Sequence, residues 1–232
     1  MKVKNFTKMT SQDNFMYLTA ALCLLLLSTS LAQQFFHDSV QRMVQSATIV
    51  TLLVAVWGVE SKNFFLRRGF MFPFAILVFS FFSAWLDNTS FDKLYLFMLL
   101  IFFIFSGLQT AKQVLFTGDI DFNKILGAIC LYLLMGLSWA VIYTLIQLYI
   151  PNSFVNIHSN NQWFTLFPDF IYFSFVTLTT LGFGDISPSL PLSRFLVYFE
   201  AIVGQFYLAI LVASLVGSHM ANANNKRHNQ TK

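Results

Sequence analysis

The sequence predicts an all-α integral membrane fold: six transmembrane helices, with a shorter, interrupted segment between the fifth and the sixth. Three observations carry that prediction. Of 232 residues, 56% are hydrophobic and 10% charged, with 29 Phe, whereas soluble domains average about a quarter charged residues. Apolar runs recur at 15–32, 43–59, 70–86, 94–108, 125–150 and 192–216, near the ~20 residues that cross a hydrocarbon core. The basic residues sit at the ends of these runs and mostly on one side.

Taken in order, the first run follows Lys2, Lys4 and Lys8 and ends on Ser30-Leu31-Ala32. Such a stretch is similar to a secretory signal with a small-residue cleavage site, but its leading segment is long, and a retained span is the expectation. Cleavage would leave the later topology unchanged. The second run carries Ser46, Thr48 and Thr51 and the fourth is short, so their ends are loosely defined. With the N-terminus in the cytoplasm, the inside segments hold Lys2, Lys4, Lys8, Lys62, Arg67, Arg68, Lys112, Lys124, Lys226, Arg227 and Lys232. Only Arg42, Lys93 and Arg194 face out, as the positive-inside rule requires. Both termini are then cytoplasmic, and 151–167 lies outside.

Several function classes are excluded at this level. The net charge of +4 is dispersed at span ends rather than gathered in a phosphate-binding patch, so nucleic acid is not an expected partner; membrane lipid is. Cys23 and Cys130 lie inside apolar runs, which argues for buried thiols rather than a disulfide framework. The sequence offers no Cys/His metal cluster, no nucleophile with a base and no phosphate-binding glycine loop, so neither an enzyme nor a cofactor is expected. The residues after the sixth run, Gly217 to Lys232, are too few for an independent ligand-binding core.

Residues 179–185, between the fifth and sixth runs, read Thr-Thr-Leu-Gly-Phe-Gly-Asp. Gly182 and Gly184 can take positive φ, which turns successive carbonyls toward one axis, where they can replace the water around a potassium ion. Thr180 adds a hydroxyl at the inner end. Upstream, Pro168 suits a first helical turn and Asp169 complements the positive end of the helix dipole, so a short helix over Tyr172 to Leu178 aims its C-terminus at Thr179. Polar backbone at membrane depth is tolerated where it is buried in protein or lines a water-filled path.

The heptapeptide resembles the potassium-channel signature, usually Thr-Val-Gly-Tyr-Gly-Asp, with Leu181 and Phe183 at the two variable positions. The resemblance covers residues 125 to about 216: Pro188 falls three residues past Asp185, Arg194 opens the last span, and Gly204 follows ten residues later at the family's bending point. Two departures stand out. Where the best-known bacterial members carry a Trp and a Glu that hold the filter Asp, this chain has Phe173 and Val176, which leaves Asp185 without those partners.

The resemblance implies a re-entrant pore helix and selectivity filter, repeated around a central pore in a homotetramer, in the cell (inner) membrane of a prokaryotic-type six-span channel. It implies a filter of Thr180, Leu181, Gly182, Phe183, Gly184 and Asp185, with Thr179 at the pore-helix end. Potassium, the transported ion, would sit at Thr180, Leu181, Gly182 and Phe183, while the Leu181 and Phe183 side chains pack behind the filter. Residues 1–120 would form a four-span N-terminal region, 121–217 the pore domain and 218–232 a short cytoplasmic tail.

Within the sixth span, Glu200 lies one helical turn before Gly204 and the two are candidate gating residues; Gln205, Leu208, Val212 and Val216 recur at helical spacing and are candidate cavity-lining residues. The fourth span offers only Lys93 and Lys112, beyond its two ends, so voltage sensing by an arginine-rich helix is not expected. A nonselective cation channel, and more distantly a potassium transporter subunit or a non-conducting scaffold, are the alternatives. The intact Gly182-Phe183-Gly184 and the single pore loop weigh against them.

Overall fold

The structure, a computed structural model, describes residues 14–35, 89–116, 122–157 and 162–230. The expected spans at 43–59 and 70–86 lie outside the described residues. Five helices and a two-residue ribbon make up the rest: α1 (Asn14–Phe35), α2 (Thr89–Phe116), α3 (Phe122–Tyr149), β1 (Phe154–Val155), α4 (Trp163–Leu178), β2 (Ser187–Pro188) and α5 (Pro191–Gln230). Among the described residues four helices, α1, α2, α3 and α5, are long and apolar enough to cross a membrane. They correspond to the first, fourth, fifth and sixth expected spans. Such composition makes the chain an integral membrane protein.

Helix α3 is the axis of the fold, packed by α1, α2, α4 and α5. Hydrocarbon lipid is as apolar as Leu, so association here rests on close packing and a few interhelical hydrogen bonds rather than on removal of surface from water. Aromatic rings supply the packing around the start of α4. Tyr95 of α2 lies 5.0 Å from Trp163, and Tyr143 of α3 lies 5.3 Å from Phe154 and 5.5 Å from Phe173. Polar ties are sparse but specific: Gln33 at the end of α1 donates from Nε2 to Asp169 Oδ1 of α4 at 2.8 Å, and the Thr19 hydroxyl meets Cys130 Sγ at 2.9 Å. Both cysteines are free, and Cys130 is buried; Cys23, contrary to expectation, is exposed on α1.

The start of α4 corrects the sequence reading. Pro168 was expected in the first turn; the helix instead begins at Trp163, so the proline is its sixth residue. The carbonyl of Gln162 accepts the amides of Thr165 and Leu166, at 3.1 and 3.2 Å, and starts the helix there. An interior proline costs about 3 kcal/mol. Leaving residues 163–167 irregular would instead strand several backbone groups in an apolar setting, at several kcal/mol each, so the helix continues through it.

Helix α5 starts one residue before the expected 192, with Pro191 at its first position, where a missing amide is harmless. Two residues on, Ser193 Oγ accepts from the Leu190 amide at 3.2 Å and donates to Ser153 O at 2.8 Å. This tie joins the helix start to β1, which pairs antiparallel with β2 (Phe154 opposite Pro188, Val155 opposite Ser187). At its other end α5 runs to Gln230, well past the expected boundary at 216, because no proline follows Gly217 to stop it. Likewise α2 extends beyond 94–108 at both ends.

Candidate functional site

Helix α4 ends where the sequence placed its end: Leu178 is its last residue and Thr179 its C-cap. Thr179 Oγ1 donates to Phe175 O at 2.6 Å. From there the backbone alternates. Thr180, Gly182 and Gly184 have φ of +58°, +57° and +78°, while among the described residues the intervening Leu181 and Phe183 have no positive φ. The two glycines were expected in the left-handed region; Thr180 was not, since a β-branched residue with positive φ is an outlier. The spacing of the two glycines, extended one step back, is the signal that would have found it.

Alternation puts amides on one edge of the strand and carbonyls on the other. The amide edge faces α4: Thr180 N donates to Thr177 O at 3.0 Å, and Leu181 N and Gly182 N donate to Val176 O at 3.0 and 3.5 Å. Among the described residues no hydrogen bond reaches the carbonyls of Thr180, Leu181, Gly182 or Phe183. The side chains of Leu181 and Phe183 do not pack behind the strand within one chain; they are 61% and 65% exposed.

Asp185 lacks the family's partners, as expected, but has others. Phe173 and Val176, the residues at the positions expected to hold it, are buried apolar side chains. Instead Tyr172, exposed on the neighbouring position, donates its hydroxyl to Asp185 Oδ2 at 2.7 Å, and Asn156 donates its amide to Asp185 O at 2.9 Å. The Tyr172 hydrogen bond, followed by backbone amides, holds the Asp185 carboxyl below its usual range despite some opposing desolvation. Sequence reasoning missed Tyr172 because it looked for partners only at the family's positions. A hydroxyl-bearing residue on the helix that leads into the strand was the available sign.

On α5, Glu200 is fully buried. Ser174 of α4 donates to its Oε1 at 2.5 Å, Tyr143 of α3 donates to its Oε2, and Ser174 Oγ also lies 2.9 Å from Gly136 O. One carboxyl thus ties three helices together. One turn on, Gly204 is buried against the end of α4, where a Cβ would stand 2.7 Å from Leu178 O and 2.9 Å from its Cδ2. Gln205 then reaches the strand itself, its Nε2 donating to Thr180 Oγ1 at 3.2 Å. Leu208 is half-buried and Val212 exposed; the side chain of Val216 lies outside what is described. Among the described residues no group of His, Cys, Asp and Glu could hold a metal ion.

A helix ending on an alternating, carbonyl-bare strand, followed at once by a membrane-length helix, is the build of an ion-channel pore domain. Residues 128–218 match the family model described as "Ion channel", which bears out the pore-family resemblance over that stretch. Protein LctB of Bacillus caldotenax is similar to the chain, 32% identical over 92 residues. That alignment takes in 37% of this chain and 64% of LctB, so the chain spans less than two thirds of this curated relative. No solved structure matches the chain.

Proposed function

We propose that four copies of this chain enclose a potassium-selective channel that conducts K⁺ passively across the cell membrane. The observation that carries the reading is the strand 180–184: alternate residues are left-handed and the amides of 180–182 are committed to α4, while the four successive carbonyls of 180–183 are unbonded among the described residues. Carbonyl rings of this kind replace the hydration shell of an ion and let neighbouring ions push each other onward. One chain supplies a quarter of each ring. The exposed Leu181 and Phe183 support the same conclusion, because a second copy is what would cover them beside the axis.

In this reading α4 is a re-entrant pore helix, Thr180 to Phe183 hold K⁺, and the remaining spans surround the pore with both termini in the cytoplasm. Gly204 and Glu200 form the gating pair. Bending of α5 at Gly204 draws the helix off Leu178, and the Glu200 tie to Ser174 and Tyr143 resists that movement. Gln205, Leu208, Val212 and Val216 line the cavity below the filter.

Two measurements on purified protein test the proposal. Native mass should correspond to four chains, and liposomes carrying the protein should take up K⁺ and Rb⁺ at least tenfold faster than Na⁺. Equal uptake of the three ions would make the pore nonselective, and no uptake by a stable oligomer would make the chain a scaffold.

A further inference from the structure

We infer that Gln205 sets ion release at the inner end of the filter: its side-chain amide holds the Thr180 hydroxyl and thereby weakens the innermost potassium site. The inference rests on the conduction reading above and adds to it a residue outside the signature.

Two features of the geometry converge on this contact. Thr180 is a β-branched residue at φ +58°, a conformation that persists only where its surroundings impose it. Its amide is held by Thr177 O at 3.0 Å, and its hydroxyl accepts from Gln205 Nε2 at 3.2 Å. The donor in turn is fixed by the helix that carries it. The preceding residue, Gly204, lies directly against Leu178, and one turn earlier Glu200 is hydrogen-bonded to Ser174 at 2.5 Å. Along α5, then, three successive contacts set the register against α4, and the last places an amide beside the filter.

The chemistry follows from lone pairs. A threonine hydroxyl has two acceptor positions, and Gln205 occupies one, leaving the other for a cation. The N–H brings partial positive charge close to that cation and polarises the oxygen away from it. An ion at the inner end is bound less tightly than by a free hydroxyl. Conduction needs sites weak enough to release their ions, so this single donor shifts the balance from retention toward release.

The test is K⁺ influx into liposomes as a function of K⁺ concentration, for the full chain and three variants, with native mass recorded for each. The parent should discriminate K⁺ from Na⁺. Gln205→Met keeps the length of the side chain but removes the donor; it should assemble as the parent does, lower the half-saturating K⁺ at least threefold and lower the maximal flux by a similar factor. In a Thr180→Val background the same substitution should change neither quantity by more than 1.5-fold, because the hydroxyl it acts through is gone. A merely structural Gln205 would change the amount of active protein and leave half-saturation untouched.

A selective parent with unchanged half-saturation in Gln205→Met overturns the inference alone, as do effects of Gln205→Met and Thr180→Val that simply add. Should Gln205→Met fail to assemble, Gln205→Leu, which is uncharged and has no donor, decides by the same two readouts. A parent that does not distinguish K⁺ from Na⁺ overturns the conduction reading itself, and the role of Gln205 with it.

Discussion

The strand at 179–185 and the seam where α5 crosses the end of α4 both depend on glycine, for opposite reasons. At Gly182 a Cβ would meet nothing within 4 Å, yet φ is +57°. At Gly204 the backbone is ordinary helix, yet a Cβ would stand 2.7 Å from a carbonyl oxygen. The first position requires a conformation and the second requires space. The same contrast runs through their surroundings. The strand presents its apolar side chains and carbonyls outward, unsatisfied within one chain, whereas the seam closes on itself around the buried Glu200. The seam is finished by folding; in the proposed channel, the strand is finished by association.

The contrast breaks first at Gly182. Gly182→Ala should reduce K⁺ flux at least 100-fold while the oligomer mass stays that of the parent, since no neighbour is displaced and only the backbone conformation is forbidden. Normal flux in that variant would refute the filter assignment. At the seam the effect should appear as stability instead. Glu200→Ala strips a buried hydroxyl pair of its acceptor and should lower unfolding stability in detergent by about 2–3 kcal/mol, whereas Glu200→Gln keeps an oxygen for one donor and should lose less than half of that. Equal losses in thermal melts would contradict the three-helix tie.

Gly204→Ala should fall below Glu200→Ala, at about 1–3 kcal/mol for overpacking against Leu178. Single-channel recording would also show a changed open probability if the proposed gating pair is right. The smallest effect is expected at the outer end of the strand. Tyr172→Phe removes only an exposed hydrogen bond, so melting should barely change, but the pH response should. Asp185 accepts that bond as a carboxylate, and the bond lowers its pKa. The tether therefore holds at neutral pH and is lost as pH falls through that lowered value. Without the hydroxyl the pKa rises back, and the acid midpoint of K⁺ flux, titrated from the filter-mouth side, should move to higher pH. An unmoved midpoint would mean that Asp185 does not support the conducting strand.

What the sequence made legible were the features that local chemistry dictates. The end of α4 at Leu178 and the positive φ of Gly182 and Gly184 follow from residue type alone. Contacts that depend on how helices approach one another were not legible. Gly204 looked like a bending point because a glycine within a helix weakens it, and its packing on Leu178 needed the crossing of α4 and α5. Tyr172 looked like one more aromatic in an apolar helix until the strand brought Asp185 back beside it. Pro168 misled because proline preference describes an isolated helix start, whereas the backbone of 163–167 had to be satisfied in apolar surroundings. The left-handed Thr180 was not foreseen for a related reason: residue preference argues against its conformation, and the alternation of the strand imposes it.

The central claim is that the unbonded carbonyls of 180–183 select potassium, and a reversal potential tests it most directly. With the purified protein in a planar bilayer, equal concentrations of K⁺ on one side and Na⁺ on the other should give a reversal potential of at least about 60 mV, since each tenfold in permeability ratio is worth about 1.4 kcal/mol, or roughly 60 mV. A reversal potential near zero in a conducting parent would contradict the account.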